Sequence, residues 1–490
     1  MSETRSHSYH QTESSSDSSR AVGRVVGSEA RSVLLALAAE RLPEGAFGVG
    51  SVLAIRGDID LLAEVTSFRL PAPEVDPTTD DILLAEAEIC GFIGSDGVAV
   101  RGASPAVLGA PVTLFDQQAD SAARQLAMQA PVSIGERADA TTLEIDGERL
   151  LGSRLAIKGD MRTGRSSTLA VTVRGLLREA FPARMIVIDP MGELGQSFGA
   201  AAEIVSADGG IVPFWMLSRD EVAHCLEVIG QPLSGAERSA LSEVLATEQD
   251  GRRSIKLSEI VQRCQKLAGE SAVGLSALYA GLGRRFSAAQ RDPRLSPFFS
   301  SYADNLTAED VLQNVFRLPY GRPPMAVVQM CAVDPSLRGV VTSVILRLAS
   351  SVAEAADGTI PVLVFVNDGE TATGGFGPAF TTLTSEPGRF FGVGTVWRKD
   401  TSAPAEITLW HRSSGLPEVP SLRGFDLRSL AVGHAVLVDQ DRPWPELIRV
   451  AGLPSRALPR KRSQEQERRG LGRDDLVHTI AENWRGPQLG

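Results

Sequence analysis

The spacing of hydrophobic residues changes between Phe115 and Ser133, and the change predicts two kinds of structure. From Ala21 to about Phe115, β-favouring stretches such as VGRVVG, GSVLAIRG and AEAEICGFIG alternate with glycines. Short strands at this spacing predict a small barrel or sandwich. From about Ser133 the order becomes strand, loop, helix and strand, with the apolar strands RLAIKG and RMIVIDP flanking the helix TLAVTVRGLLREAF. Such strands, separated by helices, predict a parallel sheet covered on both faces.

The same pattern predicts the domain organisation of this α/β protein. Helical spacing dominates about 217–300, and apolar strands resume at PPMAVVQM, PVLVFVND, GVGTVW, AEITLWH and HAVLVDQ. The first 20 residues are serine-rich and too polar to offset the entropy of ordering. We therefore expect a disordered tail over 1–20, a β-barrel domain over 21–120, one large α/β domain over 133–455 with a helical insertion at about 217–300, and a charged C-terminal tail over 456–490.

Composition narrows the class of protein. The chain has 490 residues, 43% of them hydrophobic, which suffices for a sizeable core. Its net charge of -11 argues against a generally basic nucleic-acid binder, although a local basic channel stays possible. The N-terminus lacks the apolar core of a signal peptide, and no apolar run approaches the roughly 18 residues of a membrane span. We expect a cytoplasmic protein that does not enter a membrane.

The four cysteines are far apart in the sequence. Cys90, Cys225, Cys264 and Cys331 form no CxxC pair, so neither a zinc site nor a disulfide framework has support. We expect buried thiols in a reducing compartment.

The segment from Gly159 to Ser166 differs at one position from a phosphate-binding loop. It reads GDMRTGRS and fits GxxxxGK followed by Ser or Thr, except that Arg165 replaces the lysine. In such a loop the backbone N–H groups surround phosphate oxygens, the cation reaches the β and γ phosphates, and the hydroxyl ligates Mg²⁺. The expected nucleotide-binding residues are Gly159, Thr163, Gly164, Arg165, Ser166 and Ser167. An ordinary glycine turn with a helix cap is the alternative interpretation.

The order of motifs along the chain resembles a known family. LLGSRLAIKGDMRTGRSS, IVIDPMGEL, RLPYGRPPMAVVQM, PVLVFVND and GRFFGVGTVWR are similar to the HerA branch of the HerA/FtsK ATPases. The family's DPHGEY-like motif corresponds to Asp189–Leu194, and its EGRKYGV-like passage to Pro387–Val393. AEAEICGFIG and LGAPVTLF resemble the barrel that this family shares with ATP synthase subunits. The resemblance covers most of 21–455 and implies a RecA-like P-loop domain preceded by a small β-barrel.

The resemblance also implies an activity and partners. Members of this family are hexameric ring ATPases that use ATP and Mg²⁺ to translocate on double-stranded DNA, often with a NurA-like nuclease. No motif for reading bases is present in the sequence, so DNA contacts are expected to be sequence-independent and salt-sensitive.

Several departures from the family fall on residues that carry chemistry. Arg165 stands where the family has the P-loop lysine. Asn367-Asp368 stands where the family has the acidic pair at the end of the Walker B strand, and Trp397-Arg398 stands where the family's sensor strand ends in Gln-Arg. An asparagine brings no charge and cannot take a proton from water. These substitutions are expected to leave hydrolysis slow or absent.

The family roles, carried over to this chain, give a set of expected catalytic and metal-binding residues. The resemblance assigns catalysis to Asp368, Arg398 and Asp189, with Arg398 stabilising charge on the transferred phosphoryl group. It assigns Mg²⁺ binding to Ser166 and Asp368.

Two hypotheses about function follow. The first is a HerA-like ring ATPase and translocase on double-stranded DNA with reduced hydrolysis. The second is a catalytically inactive nucleotide-binding scaffold or sensor subunit of such a ring. A mixed ring with an intact paralogue would reconcile a degenerate site with a working motor, whereas an unrelated small-molecule NTPase has no need of the N-terminal barrel.

Overall fold

The computed structural model describes residues 21–43, 47–69, 82–179, 181–246, 255–318, 323–398, 405–414, 422 and 425–453. The two predicted tails, 1–20 and 456–490, and the acidic proline-bearing segment 71–81 lie outside these residues. Within them the chain forms two compact units. The first comprises the described residues up to Met128 with those of 422–425 and 438–446, and the second comprises the remainder.

A closed β-barrel forms most of the first unit, as the spacing of its apolar residues predicts. The strands follow the order β2-β1-β7-β3-β4-β5-β6, and β2 also pairs with β5, so six strands close on themselves and β6 extends from β5. Alternate residues of β2, such as Leu35 and Leu37, are fully buried inside. The elements are β1 (Gly23–Glu29), β2 (Ser32–Ala38), β3 (Val52–Ile55), β4 (Leu61–Arg69), β5 (Ile82–Ile93), β6 (Ala99–Arg101), β7 (Pro111–Leu114) and α1 (Gln117–Ala127).

The second unit is built on a large twisted sheet. Its order is β12-β13-β11-β14-β15-β10-β16-β17-β18-β8-β9, and the pairs from β12 to β16 are all parallel. The strands are β8 (Pro131–Glu136), β9 (Thr142–Asp146), β10 (Arg154–Lys158), β11 (Arg184–Asp189), β12 (Ala202–Ser206), β13 (Met325–Gln329), β14 (Val362–Val366), β15 (Phe391–Trp397), β16 (Ile407–Trp410), β17 (His434–Asp439) and β18 (Glu446–Val450).

Helices accompany this sheet, and α3 to α8 form the helical segment between β12 and β13. Serine and glutamate capping boxes start α3 and α4, which explains why these two helices begin where they do. The helices are α2 (Arg165–Arg178), α3 (Arg219–Val228), α4 (Gly235–Leu245), α5 (Leu257–Glu270), α6 (Val273–Ala289), α7 (Ser296–Phe299), α8 (Ala308–Asn314), α9 (Arg338–Ala355), α10 (Gly369–Thr373) and α11 (Gly377–Thr384).

The sheet differs from the prediction at one end. The apolar pattern predicts a parallel sheet, but β8 pairs antiparallel with both β9 and β18. The connection 137–141 between β8 and β9 is too short for a crossover, so these strands can only form a hairpin.

Two further expectations need correction. All four thiols are free, and Cys225 and Cys264 are buried as expected, but Cys90 is only half-buried and Cys331 is exposed. Within the described residues, one helical stretch, Pro335–Ala355, is long and apolar enough to cross a membrane, and 72% of its most apolar window is buried in the protein. Its apolar residues, among them Val344 and Leu346, belong to the main hydrophobic core.

Candidate nucleotide-binding site

The predicted phosphate-binding loop connects a buried strand to a helix. β10 lies between β15 and β16, with Lys158 in register with Trp397 on one side. The backbone then turns through Gly159, at φ +144°, and Gly164, at φ +111°, and α2 begins at Arg165. Positive φ at both glycines bends the chain back over the strand end, which produces the strand-to-helix cradle that the motif requires.

Neighbouring segments hold the loop in place. The backbone N–H of Asp160 donates to the Arg412 carbonyl at 2.8 Å, and the Asp160 carboxylate accepts from the Ser414 N–H at 2.9 Å. On the other side, the Gly433 N–H donates to the Thr163 carbonyl at 3.0 Å. The loop is therefore fixed in shape by the segments after β16 and before β17.

Arg165 is the buried cation of the cradle. Only 9% of its surface is exposed, and among the described residues its Nη1 has no hydrogen-bond partner. Burial lowers the pKa of the guanidinium, while the nearby carboxylates of Glu370 and Asp368 raise it. A buried donor without a partner is costly, and an anionic phosphate oxygen would satisfy it. Arg165 is therefore suited to bind a phosphate of the nucleotide that the loop motif predicts.

A chain of polar contacts links the start of α2 to the ends of β14 and β11. Ser166 Oγ donates to Asn367 Oδ1 at 3.0 Å. The Asn367 amide donates a long hydrogen bond of 3.5 Å to Asp189 Oδ1, and the Leu194 N–H donates to Asp189 Oδ2 at 2.7 Å. Asp189 is fully buried. Its carboxylate therefore orients the Asn367 amide, and Asn367 presents its oxygen to the P-loop serine.

Asp368 and Arg398, both predicted to be catalytic, form an ion pair with each other. Asp368 has a left-handed backbone at φ +58°, caps α10, and accepts from Thr371 Oγ1 at 2.9 Å. The Nε of Arg398 is buried and has no hydrogen-bond partner within the part of the chain that the structure describes. The pair thus leaves one guanidinium donor for another acceptor.

The predicted magnesium ligands are only partly brought together. Ser166 meets Asn367, whereas the Asp368 carboxylate is engaged by Arg398 and Thr371. The described residues contain no group of three His, Cys, Asp or Glu side chains that could hold a metal alone. A hydroxyl and an amide oxygen are ligands that would suit Mg²⁺ together with the phosphates of a nucleotide. Ser167, the last predicted binding residue, is exposed at the start of α2.

His411 belongs to the same site, and no sequence motif marks it. It follows β16, is fully buried, and its Nε2 lies 2.8 Å from Thr168 Oγ1 on α2. Burial lowers the pKa of His411 to about 4. The imidazole is therefore neutral at pH 7 and braces the P-loop helix without adding charge.

Because His411 is buried and neutral, the free energy of unfolding is expected to fall at acid pH. Its pKa is lower in the folded chain than in the unfolded one, so the unfolded state binds more protons between pH 6.5 and 4, and stability falls as the pH falls through this window. Between pH 7.5 and 5 the loss attributable to His411 is about 2 kcal/mol. Urea unfolding at the two pH values measures it. His411→Gln should show a pH-dependent loss smaller by about that amount, and an unchanged loss would contradict the prediction.

Comparison with known proteins places the P-loop in a family. Residues 132–349 match the family model described as the helicase HerA central domain. This chain carries a HerA-type domain. Over these residues the match agrees with the family that the motifs indicate. The α/β sheet with helices and the preceding barrel are features of the structure itself. The match includes the P-loop and Asp189 and ends before Asn367, Asp368 and Arg398. The roles of all these site residues remain predictions.

The solved structures that are similar to this chain share little sequence identity with it. VirB4 of Thermoanaerobacter pseudethanolicus is 15% identical, with a TM-score of 0.48 over 69% of this chain and 98% of that one. The plasmid coupling protein TrwB in complex with ADP and Mg²⁺ is 11% identical, with a TM-score of 0.41 over 69% of this chain and 93% of that one. At these scores the likenesses carry no conclusion about function. No curated protein matches the chain.

Proposed function

We propose that this chain is a nucleotide-binding subunit of a HerA-type ring translocase that acts on double-stranded DNA and hydrolyses ATP slowly. The observation that carries the proposal is the cradle of 159–164, at whose helical end Ser166 meets Asn367 and buried Arg165 has an unsatisfied donor. These are the groups that a triphosphate needs at a P-loop. The HerA-type domain supplies the DNA translocase context.

Different residues of the site would bind the phosphates and the Mg²⁺ of the nucleotide. Arg165 presents a planar fork of donors to the phosphates, in place of the single ammonium of a lysine. Ser166 and Asn367 would hold Mg²⁺, which neutralises charge on the β and γ oxygens when bound. Arg398 is positioned to stabilise transferred charge only when its pairing with Asp368 loosens. Slow hydrolysis follows, because the metal ligand Asn367 is neutral and Arg398 is already engaged.

A non-hydrolysing scaffold is the second candidate function. The Asn367 amide favours it, because an amide at the strand end binds nucleotide and metal without activating water. Both candidates require nucleotide binding and differ in turnover. Phosphate release measured with and without double-stranded DNA separates them, because only the translocase is expected to show turnover that DNA raises.

Ser166→Ala is expected to weaken binding of Mg²⁺–ATP about tenfold, because it removes the hydroxyl that the metal shares with the P-loop. Calorimetric titration with a non-hydrolysable ATP analogue in Mg²⁺, and again in EDTA, measures the effect. The difference between variant and wild type should vanish in EDTA. Ser258→Ala, at an exposed position of α5, is the matched control and should leave both affinities unchanged. Equal losses in Mg²⁺ and EDTA would argue against a metal-binding serine.

Ring assembly and DNA binding are tested together by native mass spectrometry with nucleotide present, and by DNA retention over a salt series. The proposal predicts a hexamer, homomeric or mixed, and retention that falls steeply with salt and does not depend on DNA sequence. A monomer at all concentrations, with no DNA retention at low salt, would refute the translocase. A NurA-like nuclease remains the proposed partner, to be tested by co-purification.

A further inference from the structure

Glu370 lies in the site, although sequence motifs do not mark it. It stands in the first turn of α10, just after β14. Its Oε1 accepts a hydrogen bond of 2.7 Å from the backbone N–H of Arg398. Because Lys158 is in register with Trp397, Arg398 follows β15 at the level of Gly159. The Glu370 carboxylate therefore reaches from the end of β14 to the end of β15, the strand next to the one that carries the P-loop.

The charge of Glu370 also acts on the P-loop cation. Burial lowers the pKa of Arg165, and of the carboxylates that oppose this effect Glu370 has the largest influence, ahead of Asp368. The Glu370 carboxylate therefore interacts electrostatically with the cation that is proposed to meet the phosphates.

The other two carboxylates at this sheet edge have different tasks. Asp189 is fully buried, accepts from the Leu194 N–H and orients Asn367. Asp368 caps α10 and pairs with Arg398. The Trp397 ring packs closely against Gly369, between Asp368 and Glu370, since a Cβ on Gly369 would lie 2.8 Å from the ring. Position 369 therefore has room only for glycine.

We infer that Glu370 is the carboxylate that takes a proton from the attacking water, because Asp368, the remaining acid of the Asn367-Asp368 pair, is engaged by Arg398 and Thr371. The water oxygen forms a bond to the γ phosphorus, and the bond from that phosphorus to the β–γ bridging oxygen breaks. Its electron pair leaves with ADP, the water proton passes to Glu370, and Glu370 later returns it to solvent. This inference rests on the proposed function.

The substitution Glu370→Gln distinguishes a role of Glu370 in proton transfer from a role in holding the fold. The amide carbonyl can still accept the Arg398 N–H, so the fold and the position of Arg398 should persist, but an amide cannot take a proton at neutral pH. Single-turnover hydrolysis of ATP, with the full chain in excess over ATP and with DNA present, is expected to fall at least a hundredfold. Affinity for a non-hydrolysable ATP analogue should be retained or rise, because the substitution removes a negative charge near the cation that is proposed to meet the phosphates.

Two further variants control the experiment. Glu370→Asp keeps a carboxylate on a shorter side chain and should retain part of the rate. Glu259→Gln, at an exposed position of α5, should retain the full rate. If Glu370→Asp is as inactive as Glu370→Gln, and analogue binding is lost in both, Glu370 has a structural role and the inference is wrong.

The outcomes also distinguish this inference from the proposed function. Wild-type turnover that Glu370→Gln leaves intact overturns the role of Glu370 but keeps the ATPase. Nucleotide binding without turnover in the wild type overturns the role of Glu370 and selects the scaffold. Absence of nucleotide binding in the wild type overturns the proposed function itself.

Discussion

Gly159→Ala is expected to lower nucleotide affinity at least a hundredfold and to destabilise the protein by about 3 kcal/mol. The residue has φ +144°, and an added Cβ would lie 2.7 Å from His411 Cβ and 3.1 Å from the Arg412 carbonyl oxygen. His411 is fully buried against Thr168, so it cannot move aside. The strand-to-helix turn must then shift, and the cradle with it. Calorimetric titration of an ATP analogue and urea unfolding measure the two effects.

Gly235→Ala is the matched control for this prediction. Gly235 is the first residue of α4, and a Cβ there meets no atom within 4 Å. Alanine favours the helix, so stability should stay the same or rise by up to about 1 kcal/mol, and nucleotide affinity should not change. If Gly159→Ala binds nucleotide as well as Gly235→Ala does, the cradle is not the binding site.

Asn367→Asp is expected to destabilise the nucleotide-free protein by about 3 kcal/mol. In the wild type the Asn367 amide donates to Asp189 Oδ1 at 3.5 Å, and both side chains are buried. The substitution replaces a donor with a second carboxylate, and two like charges in a buried site repel. The wild-type asparagine is therefore a residue that stabilises the empty site. Urea unfolding at pH 7.5 measures the loss.

The cause of that loss can be tested in two ways. Lower pH should reduce it, because the carboxylate pair then retains a proton, and Mg²⁺ with ADP should reduce it, because the metal supplies positive charge. Asn314→Asp, at the half-buried end of α8, provides a control that should cost at most about 1 kcal/mol, because it places a negative charge at a helix C-terminus, and this loss should not depend on Mg²⁺–ADP. If the destabilisation is the same at both pH values and with or without Mg²⁺–ADP, its cause is altered packing and not charge repulsion.

The sequence predicts the backbone turn of the P-loop, but it does not predict which side chains the acidic residues of the site contact. Asp189 ends a strand at the carboxyl edge of the sheet, and this position predicts that it faces a ligand. In the structure the Asp189 carboxylate accepts hydrogen bonds from the Leu194 N–H and from the Asn367 amide. The family resemblance predicts that Asp368 binds metal with Ser166, but Arg398 engages it. A sequence motif does not show which residues from distant parts of the chain will bind a carboxylate in the folded protein.

The sequence by itself determined the parts of this protein that depend on neighbouring residues. Alternation of apolar residues produces the barrel strands, a glycine-rich turn between a buried strand and a helix produces the cradle, and capping boxes set the starts of α3 and α4. These features need only local backbone geometry and periodicity, so the order of residue types along the chain is enough to specify them.

Tertiary structure alone decided which distant residues meet at the loop. Thr168 and His411 are 243 residues apart, and Asp160 and Ser414 are 254 apart. Their contacts depend on the order of parallel strands, which places β10 between β15 and β16. Periodicity shows that a strand is buried but does not show which strand lies beside it, because strands buried on both faces have the same apolar pattern. The position of Glu370 beside the P-loop was fixed in this way.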